Sequence, residues 1–260
     1  MKKGLLLVYL LISTLSTIKA QQTVGLFLNT PDAFEGYTLF APLNSTETYL
    51  IDNCGEKVHS WSSNYLPGLS CYLLEDGILL RTGRIQGMGN GSGLVEMIDW
   101  DGNIIWTYSA ISTHGVQHHD IELLPNGNIL LIVWDRRTQA ALEQVGSSTN
   151  NNFIISEQIV EIQPDLAAGG ATVVWEWKAW DHLIQDVDMT KPNFGMIADH
   201  PERIDINFLN HNNTDWLHIN GIDYNEDFDQ IIISGRNFSE FWIIDHSTTT
   251  ILLWIILQMI

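Results

Sequence analysis

The sequence predicts an all-β protein, and within that class a β-propeller. Two kinds of short strand–turn–strand segment alternate along the chain, and a tryptophan recurs at the end of one kind. Helical periodicity is weak throughout, and the best helical candidate, residues 137–144, is short. Because four-stranded modules with a recurring tryptophan and a turn glycine are typical of propeller blades, these observations favour that architecture.

The first kind of segment is a strand, an acidic or polar turn, and a second strand that ends in tryptophan. Its copies cover residues 49–61, 94–106 and, with a longer loop, 159–177, and a further copy begins at 241–254. Alternating Leu, Ile and Val residues along a strand place apolar side chains on a common face. We therefore expect these residues and the tryptophans to pack blade on blade.

The second kind of segment is a hairpin without the terminal tryptophan, at residues 71–80, 120–131 and 220–233. Its two apolar runs are joined by an Asp-Gly, Asn-Gly or acidic turn, which is a strong local hairpin signal. One segment of each kind makes four strands, and the first two modules start about 45 residues apart. Acidic turns such as 99–102 lack the spacing of a calcium-binding loop and are interpreted as hairpin turns.

The chain contains about three to four such modules, fewer than a closed ring normally has. Open sheet edges pair readily with other chains, so propellers close on themselves. Residues 251–260 form an apolar run, ILLWIILQMI, which is unusual at the end of a soluble domain. We therefore expect residues 21–260 to be a partial propeller that is incomplete at its C-terminus, either as a fragment or as the product of a frameshift or an early stop.

Residues 1–20 are predicted to be a secretory signal peptide. Lys2 and Lys3 precede the apolar run GLLLVYLLI, and Ala20 offers a cleavage point. The apolar run is too short to span a membrane, so we expect a secreted or periplasmic protein without stable membrane insertion after cleavage. In such a compartment Cys54 and Cys71 are compatible both with a disulfide and with two free thiols.

The charge balance excludes one large class of partners. The chain has 12 Lys and Arg against 31 Asp and Glu, a net charge of −19. Such a surface repels nucleic acid, so we expect no nucleic-acid partner. An anionic small molecule would also be repelled unless a few cations are placed to receive it. The 45% of apolar residues excludes a disordered chain.

Histidines stand in front of two of the second-kind hairpins. His118 and His119 precede the hairpin at 120–131, and His218 precedes the next one and aligns with His118. Arg236 follows that hairpin, in a chain that is poor in arginine. Equivalent strand ends of successive blades converge on one axis, so these side chains are expected to meet in one pocket. Because neighbours in a strand point to opposite faces, only one of His118 and His119 should face it.

This set of residues suits chemistry on a tetrahedral anion. An imidazole serves as nucleophile, acid or base near neutral pH, and a guanidinium matches sulfate or phosphate oxygens. The chain has no GxSxG, P-loop, HExxH or dinucleotide-binding motif, which removes the usual support for a hydrolase, NTPase, metalloprotease or Rossmann enzyme. We expect no cofactor and no resident metal.

Three stretches of the chain resemble the bacterial arylsulfotransferase family, the aryl-sulfate sulfotransferases that do not use PAPS. They are HHDIELLPNGNILL, DWLHINGIDYNEDFDQIIISGR and FWIIDHSTT, and the resemblance covers roughly residues 35–250. It implies a six-bladed propeller with the site in its central channel. It also implies ping-pong transfer of a sulfuryl group from a phenol sulfate to a phenol, through a sulfated histidine.

The resemblance also assigns roles to the candidate residues. His218 and Arg236 match the family motif, and the earlier histidine matches as either His118 or His119. By this resemblance the histidines perform acid–base work and sulfate binding, while Arg236 clamps the sulfuryl oxygens. The nucleophilic histidine of the family lies on a later blade, beyond the matched segments. His246 does not match it and is interpreted as a turn residue, so the chain alone is expected to be inactive.

Two other functions stay open at this point. The chain is compatible with a non-catalytic secreted propeller that binds an anionic or phenolic ligand or a protein partner, because a fold does not fix a function. It is also compatible with another propeller enzyme, such as a metal-dependent lactonase or a quinone-dependent dehydrogenase. The sequence lacks a clear carboxylate and asparagine metal set, which weakens this second alternative.

Overall fold

The structure, a computed structural model, describes residues 26, 28–87, 92–111, 115–208, 213–248 and, for the backbone alone, 253–258. The predicted signal peptide at 1–20 lies outside the described residues, as does part of the apolar run at 251–260. In the described residues no helix is both long and apolar enough to cross a membrane. The chain divides into two compact units, residues 1–38 with 50–59 and residues 39–49 with 60–260.

The described regular structure is almost entirely β, as predicted. The first three strands pair in the order β1 (Tyr37–Phe40), β2 (Glu47–Asp52) and β3 (Lys57–Ser62). In the smaller unit, Asp52 organises the turn that follows β2, because its Oδ1 accepts the backbone N–H groups of Cys54 and Glu56 at 2.9 Å. Cys54 and Cys71 are both free thiols.

The larger unit contains three four-stranded antiparallel sheets among the described residues, each with its strands in chain order. Sheet 1 consists of β4 (Pro67–Leu73), β5 (Leu79–Arg84), β6 (Gly93–Ile98) and β7 (Ile104–Ser109). Sheet 2 consists of β8 (Gln117–Leu123), β9 (Ile129–Thr138), β10 (Phe153–Pro164) and β11 (Ala171–Lys178). Sheet 3 consists of β14 (Ile219–Asn225), β15 (Gln230–Gly235), β16 (Glu240–Asp245) and β17 (Leu253–Gln258).

Short elements connect the sheets. The predicted helix is present as α1 (Gln139–Gln144), capped by Thr138, whose hydroxyl accepts the N–H of Ala141. Between sheets 2 and 3 the chain makes two 3₁₀ turns (Ala179–His182 and Ile197–Asp199) and a parallel pair, β12 (Leu183–Ile184) with β13 (Ile204–Asp205).

The sheets begin at a different point in the repeat than the sequence suggested. Each four-stranded sheet starts with a second-kind hairpin and ends with the first-kind segment that follows it, so residues 71–80 share sheet 1 with residues 94–106. Four antiparallel strands per module are the form that propeller blades take. Closure into a ring and the number of blades stay predictions.

Sheet 2 is buried on both faces. Along β9, Leu130 and Ile132 join one apolar cluster, which contains Ile219, Ile231 and Trp242 of sheet 3 and its surroundings. The alternate residues Ile129, Leu131 and Val133 join a second cluster, which contains Leu80, Val95 and Trp106 of sheet 1. Successive apolar residues of β9 therefore pack alternately against sheet 3 and sheet 1, and the sheets pack face to face as expected.

The recurring tryptophans have a second role in this packing. The indole N–H of Trp61 donates to the carbonyl of Asp99 at 3.0 Å, that of Trp106 to Gly170 at 2.8 Å, and that of Trp175 to Thr248 at 3.2 Å. Each acceptor lies in the turn between the last two strands of the following sheet. The same bond therefore links each module to the next.

The innermost strands of the three sheets meet at the carboxylate of Asp120. Its Oδ1 accepts the hydroxyl of Tyr72 on β4 at 2.6 Å and the N–H of Ile121 on β8 at 3.0 Å. Its Oδ2 lies 3.4 Å from the N–H of Ile222 on β14. One side chain thus holds three strands of three sheets together.

Replacing Asp120 should therefore destabilise the protein more than replacing an aspartate in an exposed turn. We expect Asp120→Ala to lower the free energy of unfolding by about 2–4 kcal/mol, since hydrogen bonds to charged groups contribute roughly 1.5–3 kcal/mol each. Asp120→Asn retains an acceptor and should cost less. Urea denaturation measures both, with Asp76→Ala in the exposed turn after β4 as the control. Equal effects of Asp120→Ala and Asp76→Ala would contradict this role.

The environment of Glu122, two residues further along β8, makes the stability of the fold depend on pH. Burial, followed by the charges of Asp223 and Asp120, raises the pKa of Glu122 to about 7. The pKa of Glu122 is higher in the folded state than in the unfolded chain, so the folded state binds this proton more tightly. The free energy of unfolding therefore decreases as the pH rises from about 4.5 to about 7. The melting temperature of Glu122→Gln relative to the unsubstituted protein should therefore increase between pH 5 and pH 8, and a constant difference would count against it.

Candidate functional site

A cavity of about 320 Å³ lies at the inner ends of the sheets in the larger unit. Its wall combines cationic, aromatic and small residues. The lining residues are Leu43, Gly68, Leu69, Arg84, Ser92, His119, Trp134, Asp215 and His218. Two of the sequence-predicted residues, His119 and His218, thus share one cavity.

Both of these histidines have an unusual backbone conformation. The φ angle is 52° at His119 and 54° at His218. For residues with a side chain this left-handed region is sparsely populated and costs roughly 1–2 kcal/mol. His119 lies where β8 shifts register against β9, between Gln117 and Ile121, and His218 directly precedes β14. The strain is therefore located at the two imidazoles that line the cavity.

The register shift also changes the relation between His118 and His119. Alternation along a strand predicted opposite directions, but their Nδ1 atoms lie 2.8 Å apart. His118 is fully buried and stacks on the indole of Trp134, with ring centroids 5.0 Å apart, while His119 lines the cavity. The sequence alignment pairs His218 with His118, whereas the positive φ angle and the place in the cavity wall pair it with His119.

His218 is held from two sides. Its Nδ1 lies 2.5 Å from Oδ2 of Asp215, which also lines the cavity. Its ring contacts that of His119 nearly edge to face, with centroids 4.9 Å apart. A carboxylate on one ring nitrogen fixes the orientation of an imidazole and leaves the other nitrogen for a ligand.

Arg236 follows β15 and lies close to the two histidines. Its backbone N–H donates to the carbonyl of His218 at 3.2 Å, and its charge contributes to lowering the pKa of His119. The side chain is exposed and forms no ion pair within the described ranges. It stands beside the cavity rather than in its wall. A guanidinium without a carboxylate partner is available to an anion.

Arg84 is a cationic residue of the cavity that the sequence interpretation missed. Its backbone N–H donates to the carbonyl of Leu66, as that of Arg236 does to His218 and that of Trp134 to Val116. The three residues thus occupy equivalent positions in sheets 1, 3 and 2. The signal was present in the sequence, because Thr82-Gly83-Arg84 matches Ser234-Gly235-Arg236.

Both adjacent histidines are poorly basic. Burial, together with the neighbouring imidazoles His119 and His218, lowers the pKa of His118 well below its usual value. Burial and His218 also lower the pKa of His119, while Asp215 and Asp120 oppose this shift. Near neutral pH both rings are therefore uncharged, and each has one donor and one acceptor nitrogen.

His246 lies in the segment after β16, where the sequence placed a turn residue. Its Nδ1 lies 2.7 Å from Asp229, its Nε2 lies 2.8 Å from Glu161, and its ring contacts that of Trp175. Both ring nitrogens are thus engaged, Nδ1 within sheet 3 and Nε2 across to sheet 2. Among the described residues no group of His, Cys, Asp and Glu is arranged to hold a metal ion.

The sheets and the histidine cavity define a β protein of repeated four-stranded modules with a polar site at the inner strand ends. The arylsulfotransferase (ASST) family model matches residues 42–258. This match covers most of the sequence, and the chain belongs to that family. Among curated proteins no match was found.

Several solved structures are similar to the chain at low sequence identity. A protein of unknown function from Bacteroides caccae has 12% identity and a TM-score of 0.45, covering 86% of this chain and 58% of that one. Hydrazine synthase from Kuenenia stuttgartiensis has 17% identity and a TM-score of 0.45, covering 81% and 49%. A putative 6-phosphogluconolactonase from Bacteroides fragilis has 13% identity and a TM-score of 0.43, covering 91% and 55%. The chain spans about half to three-fifths of the length of these structures.

The backbone strain at His218 is testable by comparing two substitutions that both remove the imidazole. Glycine adopts a positive φ freely and alanine does not, so His218→Gly should be more stable than His218→Ala by about 1 kcal/mol. At Thr107, an exposed residue of β7 outside the positive-φ set, the order should reverse. Thermal unfolding of the four variants decides the question, and the same order at both positions would show that His218 is unstrained.

Proposed function

We propose that the cavity binds a phenol sulfate and that the chain provides part of the site of an aryl-sulfate sulfotransferase. The observation that carries this proposal is that His119 and His218 share one cavity wall, with Arg236 beside them, in a strongly acidic chain. Membership of the arylsulfotransferase family supports it. The reaction would transfer a sulfuryl group from a phenol sulfate donor to a phenolic acceptor.

The sulfate end of the donor would lie between the arginine and the histidines. A guanidinium offers parallel N–H donors that match two oxygens of a sulfuryl group. Arg236 stands beside His218, whose Nδ1 donates to Asp215 and whose Nε2, in the doubly protonated ring, would donate to a sulfuryl oxygen. Both groups would stabilise the charge that these oxygens carry during transfer.

The aromatic end of the donor would lie against the apolar part of the wall. Trp134, Leu43 and Leu69 line the same cavity as the two histidines. Indole and leucine surfaces suit an uncharged ring, and stacking on an aromatic side chain contributes roughly 0.5–1.5 kcal/mol beyond burial. His119 would then supply the proton that the leaving phenol oxygen needs, since an uncharged imidazole has one N–H to give.

The formation of a sulfated histidine is not assigned to a residue of this cavity. The family resemblance implies a sulfated histidine on a later blade than those matched here. His246 is unsuited to that role, because both of its ring nitrogens are engaged by carboxylates. We therefore propose that this chain by itself binds the donor but does not transfer the sulfuryl group. A secreted or periplasmic location, after cleavage of a signal at 1–20, completes the proposal.

Calorimetric titration with 4-nitrophenyl sulfate tests the proposal. Arg236→Ala should weaken binding at least about tenfold, which corresponds to about 1.4 kcal/mol. Arg203→Ala, which removes the same charge at a different pocket lined by neither cavity histidine, is the control and should bind like the unsubstituted protein. Unchanged affinity in Arg236→Ala would contradict the proposed site.

The same titration separates the enzyme from the non-catalytic binding protein. Release of nitrophenol after addition of a phenol acceptor would show that the chain transfers the group by itself, against the proposed division of labour. Binding that depends on the ring but not on the sulfate, measured with 4-nitrophenol, would favour a binder of phenols. Titration with inorganic sulfate measures how much of the affinity comes from the anion alone.

A further inference from the structure

A buried carboxylate, Glu157, lies behind the histidine pair and belongs to no motif of the sequence. It is on β10 and is 0% exposed. Its Oε2 accepts the backbone N–H of Ile219 at 2.7 Å. Its Oε1 lies 3.3 Å from Nε2 of His118, and neither of these two atoms has an aligned hydrogen-bond partner. The contact is off the ideal angle, which makes it the weakest link of the cluster.

The other side of His118 faces His119. The two Nδ1 atoms are 2.8 Å apart, a distance that requires one proton, and only one, between them. Both nitrogens without a proton would repel, and so would both with one. Glu157, His118 and His119 therefore form a continuous row from the interior to the cavity wall.

The protonation state of Glu157 fixes the proton positions along this row. Burial raises the pKa of Glu157 well above its usual value, and Asp215 adds to the shift, although the N–H of Ile219 opposes it. This shift favours the protonated, neutral carboxyl group. Since Oε2 accepts a backbone N–H, the proton of the neutral acid belongs on Oε1, the oxygen that lies 3.3 Å from Nε2 of His118.

The tautomers then follow in order. His118 accepts at Nε2, so its own proton is on Nδ1 and is donated to Nδ1 of His119. His119 in turn has its proton on Nε2, the ring nitrogen left for the cavity that His119 lines. A hydrogen bond at one ring nitrogen sets the state of the other in this way wherever an imidazole is held by a partner.

We propose that Glu157 is a positioning residue that acts through His118 to set the tautomer of His119 and to exchange a proton with it. This inference rests on the proposed function in one respect, which is that the group exchanging a proton with His119 in the cavity is a phenol. The row Glu157–His118–His119 is a proton relay that ends at the cavity.

The proton balance of the relay is complete. When His119 gives its Nε2 proton to a departing phenoxide, the Nδ1 proton of His118 moves to Nδ1 of His119. The Oε1 proton of Glu157 then moves to Nε2 of His118, and Glu157 becomes a carboxylate. The proton of an acceptor phenol returns along the same path. No imidazolium forms in either direction, and the single negative charge left behind is on Glu157.

The charges around the relay are few. Asp215 and Asp120 favour a protonated His119, and His218 and Arg236 disfavour it. His118 lies against the indole of Trp134 and the ring of His119, and the charge of His218 also acts on it. Asp215 also acts on Glu157.

The tautomer of His119 can be measured directly by ¹⁵N–¹H NMR of the full chain labelled at histidine. Near neutral pH the unsubstituted protein should show the proton of His119 on Nε2. As the pH is raised above neutral and the row loses its shared proton, His119 should change to the Nδ1–H form. In Glu157→Gln the amide still donates to His118 but has no proton to release, so His119 should keep the Nε2–H form throughout.

Glu161→Gln is the matched control. Glu161 lies on the same strand, is buried, and contacts His246 and Asn128 instead of the cavity. It should retain the pH-dependent change of His119. An Nδ1–H tautomer in the unsubstituted protein at neutral pH would overturn the relay, as would an unchanged transition in Glu157→Gln. If Glu157→Gln does not fold, the tautomer of the unsubstituted protein decides alone. Failure to bind 4-nitrophenyl sulfate would overturn the proposed function and leave this result standing.

Discussion

The carboxylate of Asp120 is the contact on which the geometry of the inner strands depends. It accepts bonds from Tyr72 of sheet 1 and from its own strand, and it lies within reach of the N–H of Ile222 in sheet 3. His119 is its neighbour in sequence, and His218 lies four residues before Ile222. The group that joins the three sheets therefore also fixes how close the two cavity histidines come.

The chemistry of the cavity follows from an interruption of regular structure. An unbroken strand would have turned His118 and His119 to opposite faces. The register shift and the positive φ at His119 instead place one imidazole behind the other, with the outer ring in the cavity wall and the inner ring in the core. The row of groups that hold and pass a proton therefore includes one strained residue, His119, and two buried polar side chains, His118 and Glu157.

Much of the fold could be predicted from the sequence, and less of the site. Alternating apolar residues and Asn-Gly turns identify hairpins because they reflect local geometry. They do not show which hairpins share a sheet. Ile129 and Leu130, for example, lie on opposite faces of β9 and are both buried, so the pattern of burial does not distinguish the two faces. The spacing of His218 and Arg236 in the sequence predicted that they lie close together, and the backbone N–H of Arg236 does donate to the carbonyl of His218. Glu157 was missed because it sits among the apolar residues of β10 and gains its role only from strands distant in sequence.

Among the described residues, the three indole bonds between sheets run in one direction along the chain. The donor is always in the earlier sheet and the acceptor 38, 64 or 73 residues later. During synthesis on the ribosome, Trp61, Trp106 and Trp175 therefore emerge before the hairpin that supplies the carbonyl acceptor of their indole. Folding of the nascent chain should thus advance one sheet behind translation, with the newest sheet completing the one before it.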